Sequence, residues 1–200
     1  MGSEDKTFTT REKVLAAALQ LFSAKGYLGA TTKEIAKLAG IAEVTLFRQF
    51  SSKEQLFEEV LNTYSFLPKI KSLIPEIEKL PYEEALALIA MRFLETLKSR
   101  IEMIRIMQSE MSRYPEKIHK IYNSFLDGII KTLALYFKSL QDAGALKEFN
   151  TEYAARAFMG MFYSFFSAQE ILLGKKYRKA DLELVVKEYV NIFAGGTVKK

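Results

Sequence analysis

Residues Thr31 to Phe50 read TTKEIAKLAGIAEVTLFRQF, two short helical patterns broken by a tight turn. In the first pattern Ile35, Ala36 and Ala39 recur at helical spacing and form an apolar stripe. Thr31 followed by Glu34 spells a capping box, in which hydroxyl and carboxylate each satisfy an orphan backbone N–H. Gly40 supplies the left-handed residue that ends a helix at little steric cost. Ile41 plugs the corner, and Leu46 and Phe50 continue the inward face on the second helix. Small residues where helices cross, a glycine turn and a short exposed second helix are what a helix-turn-helix requires. Glu43, Val44, Thr45, Phe47, Arg48 and Gln49 are left facing outward. Valine and phenylalanine standing in solvent beside arginine call for a partner, and a DNA-reading helix is expected here.

The totals narrow the remaining classes. At 200 residues and 49% hydrophobic content, the chain can bury a sizeable core in one domain or two small ones. The absence of cysteine excludes disulfides, thiolate metal sites and thiol nucleophiles. His119 is the single histidine, and no glycine-rich phosphate loop or carboxylate–histidine cluster at metal spacing appears. No enzyme activity, cofactor or metal is therefore expected. The polar start MGSEDKTFTT is not a signal peptide, and no apolar run reaches spanning length. A cytoplasmic protein without membrane contact is the expectation. Net charge is +5, yet residues 1–64 hold eight Lys/Arg and eight Asp/Glu, so the excess lies in residues 65–200. Bulk charge does not argue for DNA; individual positions must.

Helical patterns surround the central stretch. Thr9 with Glu12 opens a helix through about Lys25, buried along Val14, Leu15, Ala18, Leu21 and Phe22 and ended by Gly26. Ser52 with Gln55 is a third capping box, starting a helix through roughly Tyr64. Only Ser51 separates it from the DNA-reading helix, so it is placed to connect the first three helices mechanically with the rest.

In order and spacing, VLAAALQLFSAKGY, ATTKEIAKLAGI, TLFRQF and SSKEQL resemble the N-terminal domain of the TetR family of bacterial transcription regulators, over residues 10–64. Each piece alone is weak; the concatenation is specific. The chain departs from the family pattern at Ala42, where a capping Ser or Thr is common, at acidic Glu43, and at Phe47, which replaces a common Tyr. The resemblance implies a role for each exposed residue. Thr32 and Lys33 would meet phosphate at the start of the second helix, Lys33 alternatively a guanine edge. Thr45 would read a thymine methyl or bond a base or phosphate, and Glu43 would accept from a cytosine amino group or stay solvated. Arg48 and Gln49 would contact phosphate or base, and Lys53 would meet phosphate from the first turn of the fourth helix. Val44 and Phe47 complete the DNA-binding set.

Beyond Ser65 the resemblance fades and periodicity guides. Pro68 and Pro75 confine any fifth helix to short pieces. Pro81 suits the first turn of a sixth helix, which breaks near Ser99. The piece IEMIRIMQSEMSRY carries Met103, Met107 and Met111 at one-turn spacing, either core filler or a pliable cavity wall. Pro115 opens a long seventh helix with Tyr122, Phe125 and Ile129 on one face, and an eighth carries Phe162 and Phe166. If these three faces meet, they line an effector site suited to a fatty acyl chain or aromatic compound, with Gln108, His119, Asn123 and Arg156 near its polar end. The rival is a filled core. The eighth helix also has a small face, Ala157, Gly160, Ser164 and Ala168, and the ninth presents Val186, Tyr189 and Phe193. Pairing these faces across a two-fold axis would build a four-helix dimer interface. The basic loop KKYRK, residues 175–179, reads as solvated.

The expected protein is all-α, with about nine helices, and assembles as a homodimer. A flexible tail spans residues 1–9, a helix-turn-helix domain 10–51, a connecting helix 52–64, and an effector-binding and dimerisation domain 65–200. Its expected function is a transcription regulator, a repressor released from a palindromic double-stranded DNA operator by a small hydrophobic effector. A helical carrier of hydrophobic ligands, or an architectural or cell-division DNA binder without an effector, are the alternatives.

Overall fold

The computed structural model describes residues 9–172 and 180–199, and these form ten α-helices with no strand among them. Most of the expected tail, and the KKYRK segment, lie outside the described residues. The chain divides into two compact units. The first runs to Tyr64 and takes in residues 102–122; the second holds Ser65–Ile101 and the chain from Asn123 onward. The sequence placed residues 102–122 with the C-terminal half. They join the first unit because Met103, Met107, Glu110 and Tyr114, at helical spacing, form one buried face, and the Tyr114 ring lies 6.0 Å from Tyr27.

In the first unit, α1 (Thr10–Gly29) packs on α2 (Thr32–Leu38) and α4 (Lys53–Tyr64), and α2 on α3 (Glu43–Gln49). Val14, Ala18, Phe22, Ile35, Leu46, Phe50, Leu56 and Phe57 are the heart of its core. Phe22 and Tyr27 both present edges to Phe57, at 5.4 and 5.0 Å between ring centres. The expected end of α1 at Gly26 is a kink instead: the backbone there turns to φ 74°, and a last helical turn follows through Gly29. Residues 101–110 form α7 (Ile101–Glu110), followed by a 3₁₀ turn, Met111–Arg113.

In the second unit, α6 (Tyr82–Ser99) is the hub against which α5 (Phe66–Ile77), α9 (Thr151–Phe166) and α10 (Leu182–Thr197) pack. The fifth helix is continuous, against expectation. Pro68 sits in its first turn, where backbone N–H groups have no helical partner anyway, and exposed Pro75 forfeits a hydrogen bond near the other end. The long α8 (Glu116–Asp142) gives its first turns to the first unit and the remainder to the second. The second core is aromatic: Phe137, Phe158 and Phe193 meet at 5.1 to 6.5 Å, and Phe162 adds to Phe158 at 5.1 Å. After Phe166, residues Ser167–Leu172 widen into a π turn. No helix among the described residues is long and apolar enough to cross a membrane.

Candidate nucleic-acid interface

The α2–α3 corner is built by its own backbone. At the end of α2, the Gly40 N–H donates to the Lys37 carbonyl at 3.2 Å and the Ile41 N–H to the Ala36 carbonyl at 3.0 Å, with Gly40 at φ 70°. This pair of bonds caps the helix and turns the chain, and the left-handed residue it needs is glycine. At the other end of α2, Thr31 and Glu34 form the reciprocal capping box. Lys25, at 2.5 Å from the Glu34 carboxylate, and Thr31 hold that carboxyl down at about 2, below its ordinary 4.5.

Helix α3 begins at Ala42 with no side-chain cap. Its orientation is fixed from two other places. The Thr32 hydroxyl donates to the Glu43 carboxylate at 2.6 Å, tying the starts of α2 and α3 together. At the far end, the Arg11 guanidinium donates to the Gln49 carbonyl at 3.4 Å, pairs with Glu59 at 2.9 Å, and lies 4.6 Å above the Phe50 ring. Leu46 and Phe50 are fully buried. What remains outward on α3 is Val44, Phe47, Arg48 and Gln49, with Thr45 half-buried beside them. Lys33 stands exposed at the start of α2. Of the DNA-binding set drawn from the sequence, Glu43 differs most: its carboxylate is engaged inside the protein rather than free for a cytosine.

Lys53 also sits in company. Its ammonium lies 4.4 Å from the centre of the Tyr27 ring, and burial lowers its pKa, partly offset by Glu54 and Glu110. The Tyr27 hydroxyl donates to Glu54 at 3.1 Å. Glu110 is buried in the crook of the Gly26 kink, accepting from the Leu28 N–H at 3.4 Å. A Cβ on Gly26 would overlap the Glu110 carboxylate. The Tyr114 hydroxyl is buried without a hydrogen bond of normal geometry; burial, then Glu110, push its pKa up. Arg11, Tyr27 and Glu110 thus hold α1, α3 and α4 in place, and the sequence reading missed all three. Glu110 had a signal, a carboxylate in register with Met103, Met107 and Tyr114. Arg11 had none, because its partner Gln49 lies 38 residues away.

The expected effector residues divide between the units. Met103, Met107, Met111 and Tyr122 belong to the first, and Phe125, Ile129, Phe162 and Phe166 to the second. Met103, Met107, Ile129, Phe162 and Phe166 are buried within their cores, while Met111, Tyr122 and Phe125 are half-buried. Of the polar group, Arg156 pairs with Asp127 at 2.7 Å. On the expected dimer face, Ala157, Gly160 and Ser164 are exposed, Ala168 is half-buried in the π turn, and a Cβ on Gly160 would meet nothing. Val186 and Phe193 turn out to be core residues, the latter held 5.6 Å from Phe137 and 5.1 Å from Phe158. Tyr189 is half-buried against Phe162 at 5.5 Å. The exposed stripe of α10 is instead marked by Leu184 and Ile192, 54% and 67% exposed.

Comparison with known proteins accords with this geometry. Residues 14–60 match the bacterial regulatory proteins of the tetR family, and residues 84–195 match the AefR-like transcriptional repressor C-terminal domain. YvkB of Bacillus subtilis (strain 168), described as an uncharacterized HTH-type transcriptional regulator, is 28% identical over 187 residues, 94% of this chain and 96% of its own. A putative TetR-family transcriptional regulator from Mesorhizobium loti MAFF303099 shares the fold with a TM-score of 0.78 at 24% identity, over 95% of this chain and 97% of that one. The transcriptional regulator FadR from Bacillus subtilis, in complex with stearoyl-CoA, does so with a TM-score of 0.74 at 20% identity, over 92% and 97%. With the helix-turn-helix at one end and the repressor-type domain at the other both matched, this chain belongs to the TetR family of bacterial transcription regulators.

Proposed function

We propose that the chain is a cytoplasmic homodimeric repressor, not an enzyme, which binds a palindromic operator through α3 and leaves it when a small hydrophobic effector binds. The observation that carries the reading is the outward stripe of α3. Val44, Phe47 and Arg48 stand in solvent on a helix anchored at both ends, by Glu43 and by Arg11. A helix held this rigidly yet left unpacked on one side is suited to the major groove. Lys33, Arg48, Gln49 and Lys53 supply phosphate or base contacts, and Thr32 and Thr45 complete the set.

Dimerisation pairs the exposed faces of α9 and α10, with Ala157, Gly160 and Ser164 allowing close approach and Leu184 and Ile192 supplying apolar area. Two half-sites one helical turn apart require such a two-fold assembly. The effector is an acyl chain or flat aromatic compound engaging the half-buried Phe125 and its neighbour Ile129 on α8. In support stands the FadR relative's complex with stearoyl-CoA. Release follows from linkage: an effector preferring the DNA-free conformation weakens operator binding by that preference, typically ~1–3 kcal/mol.

Stearoyl-CoA and a free long-chain fatty acid, titrated into a preformed operator complex, test the effector. Release by either, weakened or altered by Phe125→Ala, is the expected result. Operator affinity unmoved by both and by a panel of flat aromatic compounds would leave an effector-independent DNA binder.

A further inference from the structure

We propose that α3 selects its operator by contact with thymine methyl groups, with Val44 and Phe47 as specificity-determining residues and Glu43 as a positioning residue that reads no base. The inference rests on α3 being the DNA-facing helix and names the base chemistry it recognises. Val44 is 63% exposed and Phe47 45%, side by side one turn apart on the face turned away from buried Leu46. In the major groove a cytosine offers an amino donor, a guanine two acceptors, and thymine an apolar C5 methyl. Glu43 carries the only carboxylate on α3, the group suited to cytosine, and its bond to Thr32 at 2.6 Å occupies it within the protein. Phe47 lacks a hydroxyl with which to bond a phosphate or base edge. With Glu43 engaged, the exposed pair Val44 and Phe47 presents only carbon to the groove, and the group complementary to it there is the methyl.

Charge identifies the occupant as a duplex rather than an apolar protein partner. Lys33, next to the Thr32–Glu43 tie, Lys37 on α2, and Arg48, next to Phe47 on α3, stand exposed, and none of them makes an ion pair among the described residues. Cations without protein ion pairs on the same two short helices as an exposed apolar pair suit a polyanion that carries methyl groups between its phosphate rows.

The full-length protein selects its preferred duplex from random-sequence DNA, and that duplex is resynthesised with deoxyuridine for thymidine at each half-site position in turn. Uracil differs only by the missing methyl. At the positions under α3, binding is expected to weaken about fourfold per contacted methyl, the value of one buried methyl-sized group. Val44→Ala and Phe47→Ala each shrink the thymine–uracil difference at one position. Glu43→Ala lowers affinity on all sequences without changing the preferred bases, and Glu43→Gln, which keeps an acceptor for Thr32, restores it. Equal affinity of the unaltered protein for thymine and uracil duplexes overturns the inference, and that comparison needs no variant. So does a difference that persists in both variants, or a Glu43→Gln protein with a changed base preference. A pool that yields no preferred sequence sinks the DNA-reading assignment itself, a different and recognisable failure.

Discussion

Lys53 shows how a single side chain serves two surroundings. In the free protein its ammonium rests on the Tyr27 ring near Glu54 and Glu110, and burial favours its neutral form. A phosphate at the same place would supply the stronger anion. Lys53→Ala is expected to weaken binding to every duplex alike and to lower the slope of log affinity against log salt by about one. An unchanged slope would mean that the ammonium stays on Tyr27 throughout. Glu34 makes a prediction about pH. Its folded value, about 2, is depressed below the ordinary 4.5, first by Lys25 and then by Thr31. The stability it contributes is therefore complete above 4.5 and lost as pH falls towards 2. Glu34→Gln should flatten the acid side of the curve of urea midpoint against pH in that window. A curve parallel to that of the unaltered protein would show that the capping carboxylate is not linked to folding.

At the scale of elements, legibility followed the range of the forces. Capping boxes, the glycine corner and amphipathic stripes act within four residues of one another, and α1 to α4 were readable from them. The third box is a partial exception: the Gln55 amide oxygen reaches back to the Ser51 N–H, at 2.6 Å, rather than to that of Ser52. The continuity of α5 through two prolines was not readable, because position within a helix decides what a proline costs. Nor was the membership of residues 102–122, which depends on a buried face that meets α1, where Glu110 accepts from the Leu28 N–H 82 residues away in sequence. That kink offers a double-mutant test. Gly26→Ala forces a side chain into a glycine-only backbone region, costing ~1–3 kcal/mol, and drives its Cβ into Glu110 as well. In a Glu110→Ala background the overlap vanishes, so the two changes should couple by ~0.5–3 kcal/mol in urea unfolding. Strict additivity would remove Glu110 from the kink. On α9, Gly160→Leu with Ser164→Leu should give monomer or aggregate at nearly unchanged helical content, because both side chains project into space that the single chain leaves open. A normal dimer by sedimentation would move the interface elsewhere. Part of that interface was misread from sequence, since Phe193 and Val186 satisfy the same periodicity on the inner side of α10.

At the scale of the whole molecule, the chain crosses between its two units after Tyr64, after Ile101 and after Tyr122. On the proposed reading, an effector held in one unit biases the other through these covalent links, α4 and the continuous α8 among them. What passes along them is a difference in affinity between two conformations. All of it depends on α3 reading sequence in two symmetric copies. The most direct measurement is a titration of the full-length protein against its selected duplex and a scrambled duplex of equal length, with stoichiometry and salt dependence recorded together. The account predicts two-fold symmetric occupancy of two half-sites and a preference for the selected duplex of about a thousandfold or more at physiological salt. Equal affinity for the two duplexes, falling together as salt rises, would contradict it and leave a basic helical protein that binds DNA by charge alone.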